Sequence, residues 1–366
     1  YTNPRPDKNA PWVEPRDYNK TWIGNALLFW TPDYGILAGG GITRKSYGFR
    51  KYPFANAHNF ALSYATARTS IRASYQGTFR RKNSNVFGEV RALASGIDRL
   101  NFFGFGNDTP DIEDREFYKV NQRLFRVTPT VNWSPGREFE ILFGVGVQYA
   151  QEKDDNSFID IVQPYGWGDI GQVNFVTALE WDSRGLQRGG MQSMMAGGLQ
   201  AVSKKGKKRY TGLRVLAGAQ YAPKAWDLEE EFGGVQGSIS GYYGFGSSER
   251  LVLATRVGGR QTYGTYPWYA AAFIGGSDSN RGFLENRFAG DRSFYANFEA
   301  RLRVVDMMRV IPGRLWLIGL YDVGRVWLEG EDSNEWHPSF GGGLAFEVAG
   351  SPITFWTGVA KAQEED

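Results

Sequence analysis

The stretch Glu138-Phe139-Glu140-Ile141-Leu142-Phe143-Gly144-Val145-Gly146-Val147-Gln148-Tyr149 decides the fold. Its odd positions are all apolar, while its even positions carry Glu, Gly, Gln and a single Leu. Period two puts successive side chains on opposite faces of an extended chain. Ser293–Val304 repeats the pattern, with Phe294, Ala296, Phe298, Ala300, Leu302 and Val304 on one face and Ser, Tyr, Asn, Glu and Arg on the other. Leu251–Arg260 and Ser339–Val348 alternate likewise. Each segment is roughly 10 to 12 residues long, against the ~9–11 of a tilted strand that crosses a bilayer.

Composition narrows the class. The 366 residues include 47 glycines, 12 Trp, 19 Tyr and 25 Phe, and mean hydropathy is −0.42. Such aromatic content argues against disorder, and no run approaches the ~20 apolar residues of a spanning helix. With 42 Lys+Arg against 39 Asp+Glu, the net charge of +3 offers no basic footprint for nucleic acid. The absence of cysteine excludes disulfides and thiolate metal sites, and His58 and His337 lie too far apart in sequence to suggest a ligand cluster. No metal or cofactor is expected.

Turn signals partition the chain into strands near 21–30, 35–47, 57–66, 70–81, 86–98, 118–130, 138–151, 173–183, 191–203, 236–246, 250–262, 293–305, 314–328, 338–349 and 351–361. From the middle onward, short connectors alternate with long ones at 99–117, 152–172, 204–235, 263–292 and 329–337. One rim of short turns and one of long loops is the outer-membrane barrel pattern, with the short turns periplasmic. Tyr210–Tyr221 also reads as a strand, but counting it breaks this alternation, so it is placed in a loop. The expected fold is all-β, a transmembrane antiparallel β-barrel with fifteen strands in this chain and sixteen in the full protein, because bacterial barrels have even strand number. Residues 1–20, with four prolines among charges, read as a periplasmic linker, and 21–366 as the barrel. The start at Tyr1 without a charged n-region reads as a mature or excised product. Trp22, Trp30, Trp316, Trp327 and Trp356 near strand ends suit interfacial girdles. A soluble sandwich or propeller would alternate too, but would need a compact inner face of large residues.

The most specific stretch lies in the loop 263–292: Gly275-Gly276-Ser277-Asp278-Ser279-Asn280-Arg281-Gly282-Phe283, then Asp291, then Asn297-Phe298-Glu299-Ala300-Arg301 in the following strand. A loop this long is functional or disordered. Gly275-Gly276 permits positive φ and a fold-back. A tucked-in Arg needs a carboxylate partner, since a buried unpaired charge costs several kcal/mol. Here the sequence resembles the barrel domain of the BamA/TamA-type outer-membrane assembly and translocation superfamily (the surface-antigen barrel), whose sixth extracellular loop carries Arg-Gly-Phe or Arg-Gly-Tyr. Trp181-Asp182-Ser183-Arg184, Tyr321-Asp322-Val323-Gly324 and the 340–353 hairpin agree with further motifs of that family.

The resemblance implies an inward-folded loop whose Arg281 pairs with Glu299 and Asp322, with Gly282 beside it and Phe283 packed on the wall. Gly275, Gly276, Asp291, Asn297, Arg301, Asp182, Arg184 and Gly324 would support it. Glu299 sits on the polar face of its strand, and Asp322 interrupts the apolar set Trp316, Ile318 and Leu320. Asn280 departs from the apolar residue usual there. Whether the motif only locks the loop or also takes part in substrate transit stays open.

Asn101–Thr109 resembles a glycine-aromatic loop of family members whose barrel follows a hydrolase domain. Lys204–Arg209 and Glu229–Glu231 read as solvated charge runs. There is no catalytic constellation, so no enzyme is expected. The resemblance implies an outer-membrane barrel that inserts, assembles or translocates other proteins through a lateral seam. Its partners would be the lipid bilayer, client β-barrel or secreted proteins, and periplasmic accessory domains or lipoproteins. The alternative is a membrane anchor or secretion barrel for an upstream phosphoesterase or patatin-like domain. A passive porin fits the loop motif less well.

Overall fold

The computed structural model describes residues 17–31, 34–97, 101–109, 114–136, 138–152, 156–184, 210–307, 312–348 and 354–362. Fifteen strands form one uninterrupted antiparallel sheet: β1 (Lys20–Thr31), β2 (Gly35–Ser46), β3 (Asn56–Ala65), β4 (Ser70–Arg80), β5 (Val86–Ser95), β6 (Gln122–Trp133), β7 (Phe139–Glu152), β8 (Ile170–Asp182), β9 (Gly212–Ala222), β10 (Phe232–Gly244), β11 (Leu251–Gly264), β14 (Arg292–Met307), β15 (Gly313–Trp327), β16 (His337–Val348) and β17 (Thr354–Ala362). Two short strands, β12 (Ala272–Ile274) and β13 (Phe288–Gly290), pair with each other inside the loop between β11 and β14. The fold is an all-β antiparallel barrel wall.

Alternation builds that wall. In β7, Phe143 and Val147 face outward and are exposed on the isolated chain, while Leu142, Gln148 and Ala150 face inward and are buried. The same parity holds through the register: Leu142 pairs with Ala178, Ala178 with Gly218, and Gly218 with Gln236, all inward. The outer face collects Leu28, Phe60, Leu62, Phe143, Phe175, Ile239, Leu253 and Phe298. Such a face suits acyl chains and not water. Trp22 and Trp133 lie on it at the short-turn rim, and Trp30, Tyr64, Tyr263 and Trp327 at the opposite rim.

Two expectations are corrected. The stretch Tyr210–Tyr221 is strand β9, not a loop, and it alternates Leu213, Val215, Ala217, Ala219 and Tyr221 outward with Arg214, Gly218 and Gln220 inward. The connector β8–β9 (183–211) therefore falls on the short-turn rim, and that long insertion is what hid the strand. The strand expected at 191–203 and the run Lys204–Arg209 lie outside the described residues, as does most of the 1–20 linker. Trp316 is no girdle residue: it faces inward, 5 % exposed, with Val252, Ile318 and Ala345, and packs on Tyr210. The side chain of Trp356 lies outside the described ones.

With fifteen alternating strands, β1 and β17 run in the same direction. Among the described residues no ladder pairs them. The opposite mouth holds most of the fold's core. Phe102, Val120, Ile159 and Trp268 join three long loops in one buried cluster, the first from 96–121, the second (with the helix Phe158–Val162) from 153–169 and the third from 265–291. Asn107, fully buried, donates from Nδ2 to Ser333 Oγ and Glu335 O, and accepts at Oδ1 from Val326 N and His337 Nε2.

Candidate functional site

Residues 275–283 fold back on themselves because two glycines let them. Gly275 (φ 118°) and Gly276 (φ 75°) occupy backbone regions that L side chains rarely adopt. Gly276 N–H donates to Phe283 O at 3.1 Å, and Ser279 Oγ both accepts from Gly275 N–H and donates to Gly275 O. The resulting knot points Arg281 at the wall of β14 and β15.

Arg281 meets Asp322 as a fork. Its Nε and Nη2 donate to Asp322 Oδ2 and Oδ1 at 2.7 and 2.6 Å, and its backbone N–H reaches Oδ2 at 3.0 Å. Nη1 donates to Glu299, whose other oxygen accepts from Arg301 Nε at 2.7 Å. Asp322 is fully buried. Its Oδ1 accepts a further bond from Asn297 Nδ2 at 2.8 Å. Arg256 donates from Nε to Asn297 Oδ1 and from Nη2 to Asp278 O, so β11 also holds the knot. Burial works against the Arg281 charge. The bonds to Asp322 and the charges of Glu299 and Asp322 outweigh it, lifting the guanidinium above the usual arginine range.

The neighbours extend this contact to the last strands. Gly282 N–H donates to Ser339 Oγ at 3.2 Å, and a Cβ at Gly282 would lie 2.3 Å from Ser339 Cβ and 3.0 Å from Ala362 N. Phe283 is buried with Ile274, Phe288, Val326 and Ala362, edge-on to Phe288 and His337. At Gly324 a Cβ would meet Phe294 O at 2.9 Å and Ile274 Cδ1 at 3.2 Å, so the absent side chain admits the loop. One loop thus touches β11, β14, β15, β16 and β17.

Three of the sequence-selected residues stand apart. Asp291 accepts from Tyr266 OH at 2.5 Å and Glu329 N–H at 2.7 Å, tying two loops rather than Arg281; burial, with the Asp291 contact second, pushes the Tyr266 hydroxyl up. Asp182 and Arg184 pair at the short-turn rim, far from the loop, with the guanidinium stacked on Tyr242. Asn280 proves a full partner: it is completely buried, donates to His337 O and accepts from Ser339 Oγ, both at 2.6 Å. Ser279, Asn280, Arg256, His337 and Ser339 are participants the sequence motif does not mark. Only the inward parity of Arg256, His337 and Ser339 could have pointed to them. Among the described residues no group of three or more His, Asp or Glu could hold a metal.

Solved structures resemble this chain. It superposes on BamA from Haemophilus ducreyi lacking POTRA domains 1–3 with a TM-score of 0.64 and 14 % identity, over 95 % of this chain and 68 % of that one. The fold is that of a BamA-type barrel domain. CdiB from Escherichia coli matches the same barrel with a TM-score of 0.55 and 11 % identity, over 94 % of this chain and 62 % of that one. No family model and no curated protein matches the sequence. The likeness to a BamA-type barrel is therefore one of architecture.

Proposed function

We propose that the chain is the membrane-embedded barrel of a bacterial outer-membrane machine that assembles or translocates other proteins through a lateral seam bordered on one side by β1. The supporting observation is the edge of β1, which among the described residues pairs only with β2, with a loop clasping the β14–β17 side from within. An unpaired edge is a template for strand addition. Partners would be the bilayer, client barrels or secreted chains, and periplasmic accessory domains. In this reading the loop cap faces the cell exterior and the short turns face the periplasm. The Arg281 clasp would hold the loop as a lock. The reading as an anchor for an upstream hydrolase draws only on Asn101–Thr109. Those residues serve the cap: Phe102 fills its core and Asn107 bonds its neighbours.

The test uses the absence of native cysteine. A single Cys on β1 at Leu27 and one on β17 at Ala360 are introduced, and the barrel is reconstituted in vesicles with an unfolded client barrel. Client folding should accelerate over empty vesicles with the thiols reduced or blocked. It should slow when a bifunctional thiol linker joins the edges. Equal client folding with and without the protein would refute the proposal.

A further inference from the structure

Every charged side chain that the strand register turns outward is a cation: Lys20, Arg44, Arg123, Arg292, Arg325 and Lys361. The acids of the described strands, among them Glu89, Glu180, Glu299 and Asp322, have inward register. Five of the six cations stand at strand ends or are held by loop groups, as Arg325 is by Ser333 O. Arg44 differs. It lies two residues inside the end of β2, about 7 Å from the rim at the rise of an antiparallel strand.

Its surroundings are defined on both sides. On β1 its register partner is Trp22, whose indole lies 5.6 Å from the guanidinium carbon and is 60 % exposed. On β3 its partner is His58, whose Nδ1 is 2.9 Å from Tyr75 OH on β4. No acid faces it from β1, β2 or β3. Among the described residues Arg44 has no hydrogen bond or ion pair, and its Nε is buried without a partner. None of its donors is thus taken by a described protein group, and the two terminal nitrogens carry four of the five. On a wall facing lipid, such a cation needs an anion at headgroup depth, where Trp also prefers to sit.

We infer that Arg44, flanked by Trp22 and His58, binds the phosphate of a glycerophospholipid headgroup at the short-turn rim, one strand from the β1 edge. The guanidinium fork matches two phosphate oxygens, and the indole fixes its plane. The site rests on the reading above that the wall faces a bilayer. It places an ordered lipid beside the seam on the leaflet next to the short turns.

The experiment is native mass spectrometry of the full chain in a non-ionic detergent, titrated with dioleoyl phosphatidylglycerol. Wild type should retain one lipid that Arg44→Gln binds about tenfold more weakly, the loss expected for hydrogen bonds to a charged group. Arg44→Lys should recover part of it, and Trp22→Ala should weaken it with Arg44 intact. Arg123→Gln, at the opposite rim, should leave that lipid in place. Heat-modifiable migration on gels verifies that each variant is folded. Equal retention by folded Arg44→Gln overturns the site, and so does displacement of the lipid by millimolar inorganic phosphate. Wild type that fails to insert into vesicles refutes the membrane reading itself. Insertion with equal lipid retention refutes only this site.

Discussion

At the scale of single residues, the clasp depends on shape as much as on charge. Arg281 grips both oxygens of a carboxylate with no exposed surface, and the second acid is shared with Arg301. A lysine keeps the charge but cannot supply the fork. Arg281→Lys, and likewise Asp322→Asn, should therefore destabilise the folded barrel by about 3 kcal/mol, as removal of one member of a buried pair does. Urea unfolding in vesicles measures this, and the double variant should cost less than the sum of the two. Against the cost of burial, Asp322 and Glu299 hold the Arg281 pKa in the fold above the usual arginine value. Its contribution is thus fully present below that value and is lost only as pH rises through the higher folded value, so no step should appear between neutral and moderately alkaline pH. The sequence exposed Arg281, Glu299 and Asp322 because charge inside an apolar alternation is conspicuous. It concealed Asn280 and Ser339, since small polar residues carry no sign of the partner that satisfies them.

At the scale of elements, the loop 265–291 behaves as a folded unit. Its two glycine turns, the β12–β13 pair and the Phe283 cluster depend on one another. The close approach of Gly282 to Ser339 leaves no room for a methyl group. Gly282→Ala should force the loop off β16, costing about 1–3 kcal/mol as overpacking does, and should raise its cleavage by externally added trypsin at Arg281 or Arg287. Adding Ser339→Gly should restore part of the protection, and unchanged cleavage in the single variant would contradict the packing. Strand β9 shows the opposite side of legibility. Its alternation is plain in the sequence, yet the assumption that long connectors share one rim assigned it to a loop. Connector length reports insertion, which any turn tolerates, and only pairing fixes which segments belong to the wall.

For the whole molecule, the decisive property is which face meets apolar surroundings. Phe143 stands mid-strand on the outer face of β7, 62 % exposed on the isolated chain. In a bilayer, Phe143→Arg should cost about 2–4 kcal/mol and impair insertion. In a water-soluble sheet the same change would be neutral or would improve solubility. Unfolding in vesicles against detergent distinguishes the two. Barrel architecture was legible because period two over roughly a dozen residues, repeated around the chain, has few physical solutions. The loop cap was not, since Phe102, Ile159 and Trp268 meet only after three separate loops have crossed the mouth.

The bracing of this wall is uneven, and that has a mechanical consequence. The clasp joins β11 and β14 through β17 to one rigid knot, as a jamb is fixed to masonry. Strands β1–β4 are linked by short connectors, and the turn 66–69 reaches the cap through Arg68, which bonds Asn101, itself bonded to Glu285 O. A lateral load on the edge of β1 would therefore act on strands tied to the cap through Arg68 and the cluster of Leu37, Ala65 and Ile97, while the far side is held by the Arg281 clasp.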